Sequence, residues 1–373
     1  MRERRSAPKV LIAAGGSGGH IFPAIALAKA LKEKDKGISI KFVGGNRDLD
    51  RRIFTKERFD FTLISANKLP YGFSWKIPLF FIRLFLDILR SLSIMASYNP
   101  DIVVGFGGYV SFPVIFASYI FRKRSIVHEQ NAVPGRANSF LFRFADRIAI
   151  SFDETRDLVG GNARKVVRTG NPLRPEMFRD DKELSTSLMG LKKGVFTVLV
   201  IGGSQGAHFL NETVISGITK MDELVRKNIQ VIHITGVKDY EWARARYEAV
   251  PGLEHRVYSF IDRIEEAYSA SDLIVSRSGA SALSEMAVFG RPMILVPYPF
   301  AMSHQAENAR VFSKRGAAIE IEEKALSGDV MRDTIQSLLN DRTQLNSLGE
   351  AARRMAEPAA SYNLADEVLG FVR

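Results

Sequence analysis

Short apolar runs, each closed by glycine or a polar cluster, alternate along the chain with stretches in which apolar residues recur at helical spacing. The run 10–13 enters Ala14-Gly15-Gly16-Ser17-Gly18-Gly19-His20, and the pattern over 22–31 predicts a helix leading out. Further strands are predicted over 38–43, ending at Gly44-Gly45-Asn46, over 59–65, and over 101–105, ending in Gly105-Phe106-Gly107-Gly108-Tyr109. Two more fall at 125–128, delivering His128-Glu129-Gln130-Asn131, and at 147–151. Between them a helix is expected, with Gly135 and Asn138 near its start and Phe140, Leu141 and Phe144 facing inward. The turn-rich Thr169-Gly170-Asn171-Pro172-Leu173-Arg174-Pro175, with two prolines, reads as a domain boundary.

The design then repeats. A strand over 196–201 runs into Gly202-Gly203-Ser204-Gln205-Gly206-Ala207, and a helix over 207–221 follows. Strands over 230–235, from 257, over 273–276 and over 293–296 alternate with helices over 239–249 and 264–270. The tail from 345 is helical and broken at Glu357-Pro358. Alternating strands and helices predict doubly wound parallel sheets, and two strand–glycine turn–helix openings predict two Rossmann-like halves. We place these at 1–170 and 171–356, with the last helix, about 357–373, crossing back to the first half.

One stretch is richer in apolar residues than a single buried stripe needs. Over 77–95, Leu79, Phe80, Phe81, Ile82, Leu84, Phe85, Leu86, Ile88 and Leu89 surround Arg83, Asp87 and Arg90, which share one helical face. The charges make it a poor membrane span. Two readings stand: a wholly buried core helix, or an outward apolar patch ringed by Arg83, Arg90, Lys76, Arg122, Lys123 and Arg124 that docks on a membrane.

The 373 residues suit two domains. Without cysteine there are no disulfides, thiolate nucleophiles or Cys-ligated metals. A formal charge of +11 serves solubility or an anionic partner, phosphate-bearing substrate or anionic lipid. No nucleic-acid-binding motif is present. The basic N-terminus lacks the apolar core of a signal peptide, so a soluble, cytoplasmic protein is expected.

Candidate chemistry gathers where the predicted strands end. Glycine turns that open helices let backbone N–H groups approach a phosphate, and two such turns in one half could share a pyrophosphate. His20 adds an ionisable group that a phosphate cradle does not need, pointing to proton chemistry, although a helix-entry histidine can simply bond backbone or phosphate. Ser276-Arg277-Ser278-Gly279-Ala280-Ser281-Ala282-Leu283-Ser284-Glu285 opens another anion-receptive helix. Glu285 there is either a capping or surface acid or a carboxylate accepting from ribose hydroxyls. His304, Gln305 and Asn308 are spaced for one side of a helix.

Taken together, Gly15-Gly16-Ser17-Gly18-Gly19-His20, Gly107-Gly108-Tyr109, His128-Glu129-Gln130-Asn131, Gly170-Asn171-Pro172, Gly202-Gly203-Ser204-Gln205-Gly206, Arg277-Ser278-Gly279-Ala280 and His304-Gln305 with Asn308 resemble the MurG family over nearly the whole chain. These are peripheral glycosyltransferases that add N-acetylglucosamine to the lipid-linked muramyl-pentapeptide of peptidoglycan synthesis. Ser17 stands where the family usually has threonine, keeping the hydroxyl.

The resemblance implies a GT-B fold, two Rossmann-like domains whose parallel sheets face a cleft, and an inverting transfer that releases UDP. It implies UDP-N-acetylglucosamine in the C-terminal half: uracil near Phe260-Ile261, ribose on Glu285, and diphosphate between Ser204, the helix start at Ala280, Ser281, Ala282, Leu283 and Ser284, and Arg174. Gln305 and Asn308 would read the sugar, and Ser17, Gly18, Gly19 and Asn131 also belong to the donor side. The acceptor, a polyprenyl-pyrophosphate-linked muramyl-pentapeptide, would lie on Gly107, Gly108, Tyr109, His128 and Asn138. Leu79, Phe80, Phe81 and Phe85 would rest on the anionic inner leaflet at the cytoplasmic face of the membrane. Other cell-wall synthesis or division proteins would be further partners, and nucleic acid would not.

His20 is the expected general base and Glu129 its rival, while His128 also admits a purely structural role. Helix N-termini with Arg174 can neutralise the leaving diphosphate, and no Asp-x-Asp pair is placed as a metal ligand, so no obligatory metal or other cofactor is expected. Competing readings are another lipid glycosyltransferase, a UDP-N-acetylglucosamine 2-epimerase, a non-catalytic nucleotide-binding membrane scaffold, and a nicotinamide-dependent oxidoreductase. The apolar stretch argues against the epimerase, whose substrate is soluble. Gly44-Gly45-Asn46 lacks the ribose-binding acid that the oxidoreductase needs.

Overall fold

The computed structural model describes residues 7–67, 77–203, 206–300 and 304–372. The chain divides into two compact units, Met1–Arg174 with Pro358–Arg373, and Pro175–Glu357.

The first unit contains β1 (Lys9–Ala13), β2 (Ser39–Gly45), β3 (Asp60–Ile64), β4 (Ile102–Gly105), β5 (Arg124–Glu129), β6 (Arg147–Ile150) and β7 (Val166–Arg168). They form one parallel sheet in the order β3-β2-β1-β4-β5-β6-β7. Leu11 of β1 faces Lys41 on one side and Val103 on the other. β1 and β4 are buried almost throughout, as central strands covered on both faces must be. Helices α1 (Gly18–Lys34), α2 (Asp48–Lys56), α3 (Ile77–Tyr98), α4 (Gly108–Ile120) and α5 (Arg136–Leu141) connect them.

The second unit contains β8 (Phe196–Ile201), β9 (Ile229–Ile234), β10 (Glu254–Tyr258), β11 (Leu273–Ser276), β12 (Met293–Leu295) and β13 (Ile319–Glu320), parallel in the order β10-β9-β8-β11-β12-β13. Its helices are α6 (Lys182–Leu188), α7 (His208–Thr219), α8 (Glu223–Lys227), α9 (Tyr240–Glu248), α10 (Ile264–Ala270), α11 (Ala280–Phe289), α12 (His304–Lys314), α13 (Gly328–Asn340) and α14 (Arg342–Arg354). In each sheet the strand order reverses beside the first strand, between β1 and β4 and between β8 and β11. That is where ligands bind in open α/β sheets.

The chain ends in α15 (Ala360–Val372), back in the first unit. Leu364, Ala365, Val368 and Leu369 join Ile21, Ile25 and Ala28 of α1 in one core. Ser361 Oγ accepts from Leu173 N at 3.0 Å and donates to Leu173 O at 2.8 Å, and Lys34 and Arg147 pair with Asp366 and Glu367.

α3 is not a wholly buried core helix. Its inward face begins with polar Asp87 and Ser91 and only later carries Ile94 and Met95. Asp87 accepts from Ser65 N at 2.8 Å and Ala66 N at 2.9 Å, which satisfies its burial and pins the loop after β3, where Ala66 has φ +47°. The apolar side faces out: Phe81 and Phe85 are 57% and 59% exposed, Leu79, Ile82, Leu86 and Leu89 are exposed, and Phe80 is half-buried. Lys76 lies outside the described residues. Among the described residues no helix is long and apolar enough to cross a membrane.

Local expectations also needed correction. Phe140 does not face inward; Leu141 and Phe142 fill that role, and Phe140 lies exposed against Phe112 and Phe144 in a surface aromatic cluster. β7 and β13 have no counterpart among the expected strands, because each is a short edge strand with little periodicity to read.

Candidate active site

In the first unit three strands deliver turns to one sheet edge. The turn after β1 contains Gly16 at φ +83° and leads into α1; the turn after β4 contains Gly107 at φ +89° and Gly108 at φ +71° and leads into α4. Gly108 lies against the His20 ring, where a Cβ would be in ordinary contact at 3.4 Å, and it is its φ of +71° that favours glycine there. α1 and α4 have no acidic residue in their first turns and no capping side chain at the N-cap, so the helix dipoles keep these starts receptive to an anion.

His20 sits half-buried in the first turn of α1. Its Nδ1 lies 3.2 Å from Ser17 Oγ, and the backbone of Gly15 also holds the ring. Burial pulls its pKa below the ordinary histidine value, while the charges of Glu129 and Asp50 push the other way.

The cluster at the end of β5 does different work from that expected. His128 is fully buried, with Nε2 3.0 Å from Gly170 O and Nδ1 3.1 Å from the Gln130 amide nitrogen. A carbonyl can only accept and an amide NH2 only donate, so the ring is neutral with its proton on Nε2. Burial holds its pKa down at about 4. With both nitrogens occupied, His128 has no atom to offer an acceptor substrate. Glu129 is buried too: Asn131 N and Nδ2 donate to Oε1, and Gly135 N and Asn138 Nδ2 donate to Oε2, at 2.8–3.1 Å. It organises the 129–138 loop and is not poised as a rival base. Asn138 also donates to His128 O at 3.1 Å, while its Oδ1 is buried without a partner beside Gly107. Tyr109 is exposed at the start of α4.

Arg174 belongs to the first unit. Its guanidinium stacks on the Phe22 ring, 4.5 Å from the centroid, and its Nε is buried without a hydrogen-bond partner. Phe22 also packs at Gly18, so the structure groups Arg174 with Ser17, Gly18 and the entry to α1.

In the second unit the turn after β8 has Gly203 at φ +90° and Gly206 at φ +76°; a Cβ on Gly206 would meet Thr235 O at 2.3 Å. Ser204 lies outside the described residues. α11 starts at Ala280 behind Gly279, again without an acid or a capping side chain. Leu283 is buried and its N–H already donates to Gly279 O at 3.0 Å, so it is core rather than contact; Ser281, Ala282 and Ser284 are half-buried. Glu285 is no cap: it lies past the first turn, half-buried, and accepts from Tyr268 OH at 3.2 Å. Ile261 is half-buried and Phe260 exposed beyond the end of β10.

Gln305 and Asn308 of α12 hold the approach to α11. Ser278 Oγ donates to Gln305 O at 2.7 Å, Gln305 Oε1 accepts from Tyr298 N at 3.0 Å, and Asn308 Nδ2 donates to Ser278 O at 3.1 Å. Asn308 is fully buried, so it shapes this loop and does not present an amide to a sugar. Among the described residues no group of three or more His, Cys, Asp or Glu is arranged to hold a metal ion.

Sequence reasoning missed Asp50, Arg47 and Tyr268. Arg277 is buried, donates to Val296 O at 3.0 Å and pairs with Glu323.

Known proteins share this organisation. The glycosyltransferase family 28 N-terminal domain matches residues 10–150 and the family 28 C-terminal domain matches residues 197–364. A UDP-N-acetylglucosamine–N-acetylmuramyl-(pentapeptide) pyrophosphoryl-undecaprenol N-acetylglucosamine transferase of Geobacter sulfurreducens is 36% identical over 98% of this chain and 99% of its own. One of Halothermothrix orenii is 35% identical over 95% of this chain and 97% of its own. The crystal structure of Acinetobacter baumannii MurG is similar with a TM-score of 0.76, 26% identity and coverage of 97% and 99%. A putative UDP-N-acetylglucosamine 2-epimerase from Listeria monocytogenes reaches a TM-score of 0.71 at 13% identity over 98% and 97%, a likeness of fold alone. The two parallel sheets are those of the GT-B glycosyltransferases, and the chain belongs to the MurG family of N-acetylglucosamine transferases within glycosyltransferase family 28.

Proposed function

We propose that this protein moves N-acetylglucosamine from UDP-N-acetylglucosamine to the 4-hydroxyl of the muramyl sugar of undecaprenyl-pyrophosphoryl-N-acetylmuramoyl-pentapeptide, releasing UDP. The shared name of its relatives supplies donor and acceptor. The observation that carries the reading is His20, a half-buried imidazole with a lowered pKa, set against a second glycine turn and beside two uncapped helix starts.

The acceptor oxygen attacks the anomeric carbon of the donor sugar. The bond from that carbon to the diphosphate oxygen breaks, and UDP leaves with the electron pair. His20 takes the hydroxyl proton: Nδ1 stays tied to its turn and Nε2 receives the proton. A base must be neutral to act, and burial favours the neutral ring. The starts of α1 and α4, with Gly107, Gly108 and Tyr109, hold the acceptor pyrophosphate. In the second unit Ile261 flanks uracil, Glu285 accepts from ribose hydroxyls, the start of α11 receives the diphosphate and Gln305 meets the sugar. Arg174 supplies a fixed positive charge to a diphosphate, and this arrangement needs no metal for that purpose.

The exposed apolar side of α3, flanked by Arg83 and Arg90, suits a protein that works on a lipid-linked acceptor at the cytoplasmic membrane face. It also favours this reading over an epimerase with a soluble substrate. The test is transfer of radiolabel from UDP-N-acetylglucosamine. Label in the muramyl lipid, with UDP released only when that lipid is present, is expected. Acceptor-independent UDP release, or epimerised donor with unlabelled lipid, overturns the assignment.

A further inference from the structure

Asp50 has an ordinary reason to exist. With Asp48 it is an acid in the first turn of α2, complementing the helix dipole. An acid with that task alone would stay in solvent, yet Asp50 is completely buried. Gly16 N donates to both of its oxygens, at 2.9 and 3.2 Å, and Gly45 N donates to Oδ2 at 2.8 Å. Those N–H groups lie at the ends of β1 and β2, neighbours in the sheet, so one carboxylate ties two strand ends together.

The turn after β1 is built to admit it. A Cβ on Gly15 would lie 2.4 Å from Asp50 Oδ2 and 2.7 Å from Gly45 N. Arg47 closes the other side, donating Nη1 to Gly16 O at 2.8 Å. Both peptide groups of Gly16 are therefore held, one by Arg47 and the other by Asp50 of α2, and His20 follows in the same turn, bonded to Ser17 and Gly15. The charged and titratable groups facing His20 are Glu129 and His128 from the end of β5, and Asp50 from α2. Burying an ionised carboxylate is costly, and burial does raise the Asp50 pKa; a neutral capping side chain would satisfy the same N–H groups more cheaply. A charge retained there has a use beyond tying strands.

We propose that Asp50 is a positioning residue for the transfer reaction, fixing the turn that carries His20 and supplying a negative charge behind it. The inference rests on His20 acting as the base. In Asp50→Asn one oxygen can still accept from Gly16 N and Gly45 N, but the charge is lost. Turnover is expected to fall about tenfold or more, with the KM for UDP-N-acetylglucosamine within about twofold. Without the charge that favours the imidazolium, the acid limb of kcat/KM moves to lower pH by about half a unit. The NMR titration of the His20 Cε1 resonance moves the same way without any reaction. Asp50→Glu keeps the charge but lengthens the arm: the limb stays and turnover falls.

A rate loss in Asp50→Asn with limb and resonance unmoved overturns the proposal, as does wild-type turnover in Asp50→Glu. Should Asp50→Asn not fold, the Asp50→Glu result decides. Wild-type protein that labels no muramyl lipid defeats the reaction assignment instead, and the resonance still reports whether Asp50 is coupled to His20.

Discussion

His20 and His128 stand at the same edge of one sheet, and burial lowers the proton affinity of both. Their surroundings differ. His20 is half-buried and bonded to Ser17 and Gly15 of its own turn, whereas His128 is sealed between Gly170 and Gln130, far apart along the chain. Low proton affinity alone therefore does not mark a base. What would separate a general base from a structural imidazole is access and a nitrogen not already committed.

The largest expected effect tests the first half of that contrast. His20→Ala should lower turnover by about 10²-fold or more while UDP affinity and thermal stability stay near wild type. A loss below about tenfold would place both histidines in the structural class.

His128→Ala should do the reverse, costing about 2–3 kcal/mol in denaturant unfolding while turnover per folded molecule stays within about threefold. Its pH signature has a definite sign. Folded His128 titrates near 4 and buried His233 near 3, both below the unfolded value of 6.5, so the unfolded chain binds more protons over that interval. Stability should be complete above pH 6.5 and decline as pH drops toward 4 and 3. Replacing His128 should flatten the upper part of the decline; an unchanged profile would mean that the ring is not sealed.

The smallest effect on the enzyme itself belongs to α3, whose outward apolar face contrasts with the buried one of α1. Phe81→Ser with Phe85→Ser should leave stability within about 0.5 kcal/mol and UDP affinity unchanged, because both side chains are exposed. Sedimentation with anionic vesicles should fall severalfold. Retained vesicle binding would remove α3 from the membrane contact.

Strands and glycine turns were legible because each is a local signal: four apolar residues before a Gly-Gly pair specify β1 or β8 almost alone. His20 was legible for the same reason. Phe140 and the short edge strands β7 and β13 were misread on local pattern, whereas the other misreadings concern partners distant in sequence. Nothing near Asp87 says that it will catch Ser65 and Ala66, so it was grouped with Arg83 and Arg90 on one charged face, although only Asp87 turns inward. His128, Glu129 and Asn308 were correctly found at strand ends and helix starts, but their polar atoms meet the protein's own backbone and amides. Asp50 drew no attention in the sequence, because only the fold brings its carboxylate to the turn after β1.

The return of α15 to the first unit bears on how the protein is made. The apolar side of α1 that rests on Leu364, Val368 and Leu369 stays uncovered until residue 369 has been synthesised. A chain cut short anywhere in the second unit would keep every residue of the His20 turn and still lack the support behind it. Premature termination should thus yield material that chaperones and proteases remove, not a half-enzyme that occupies lipid without glycosylating it.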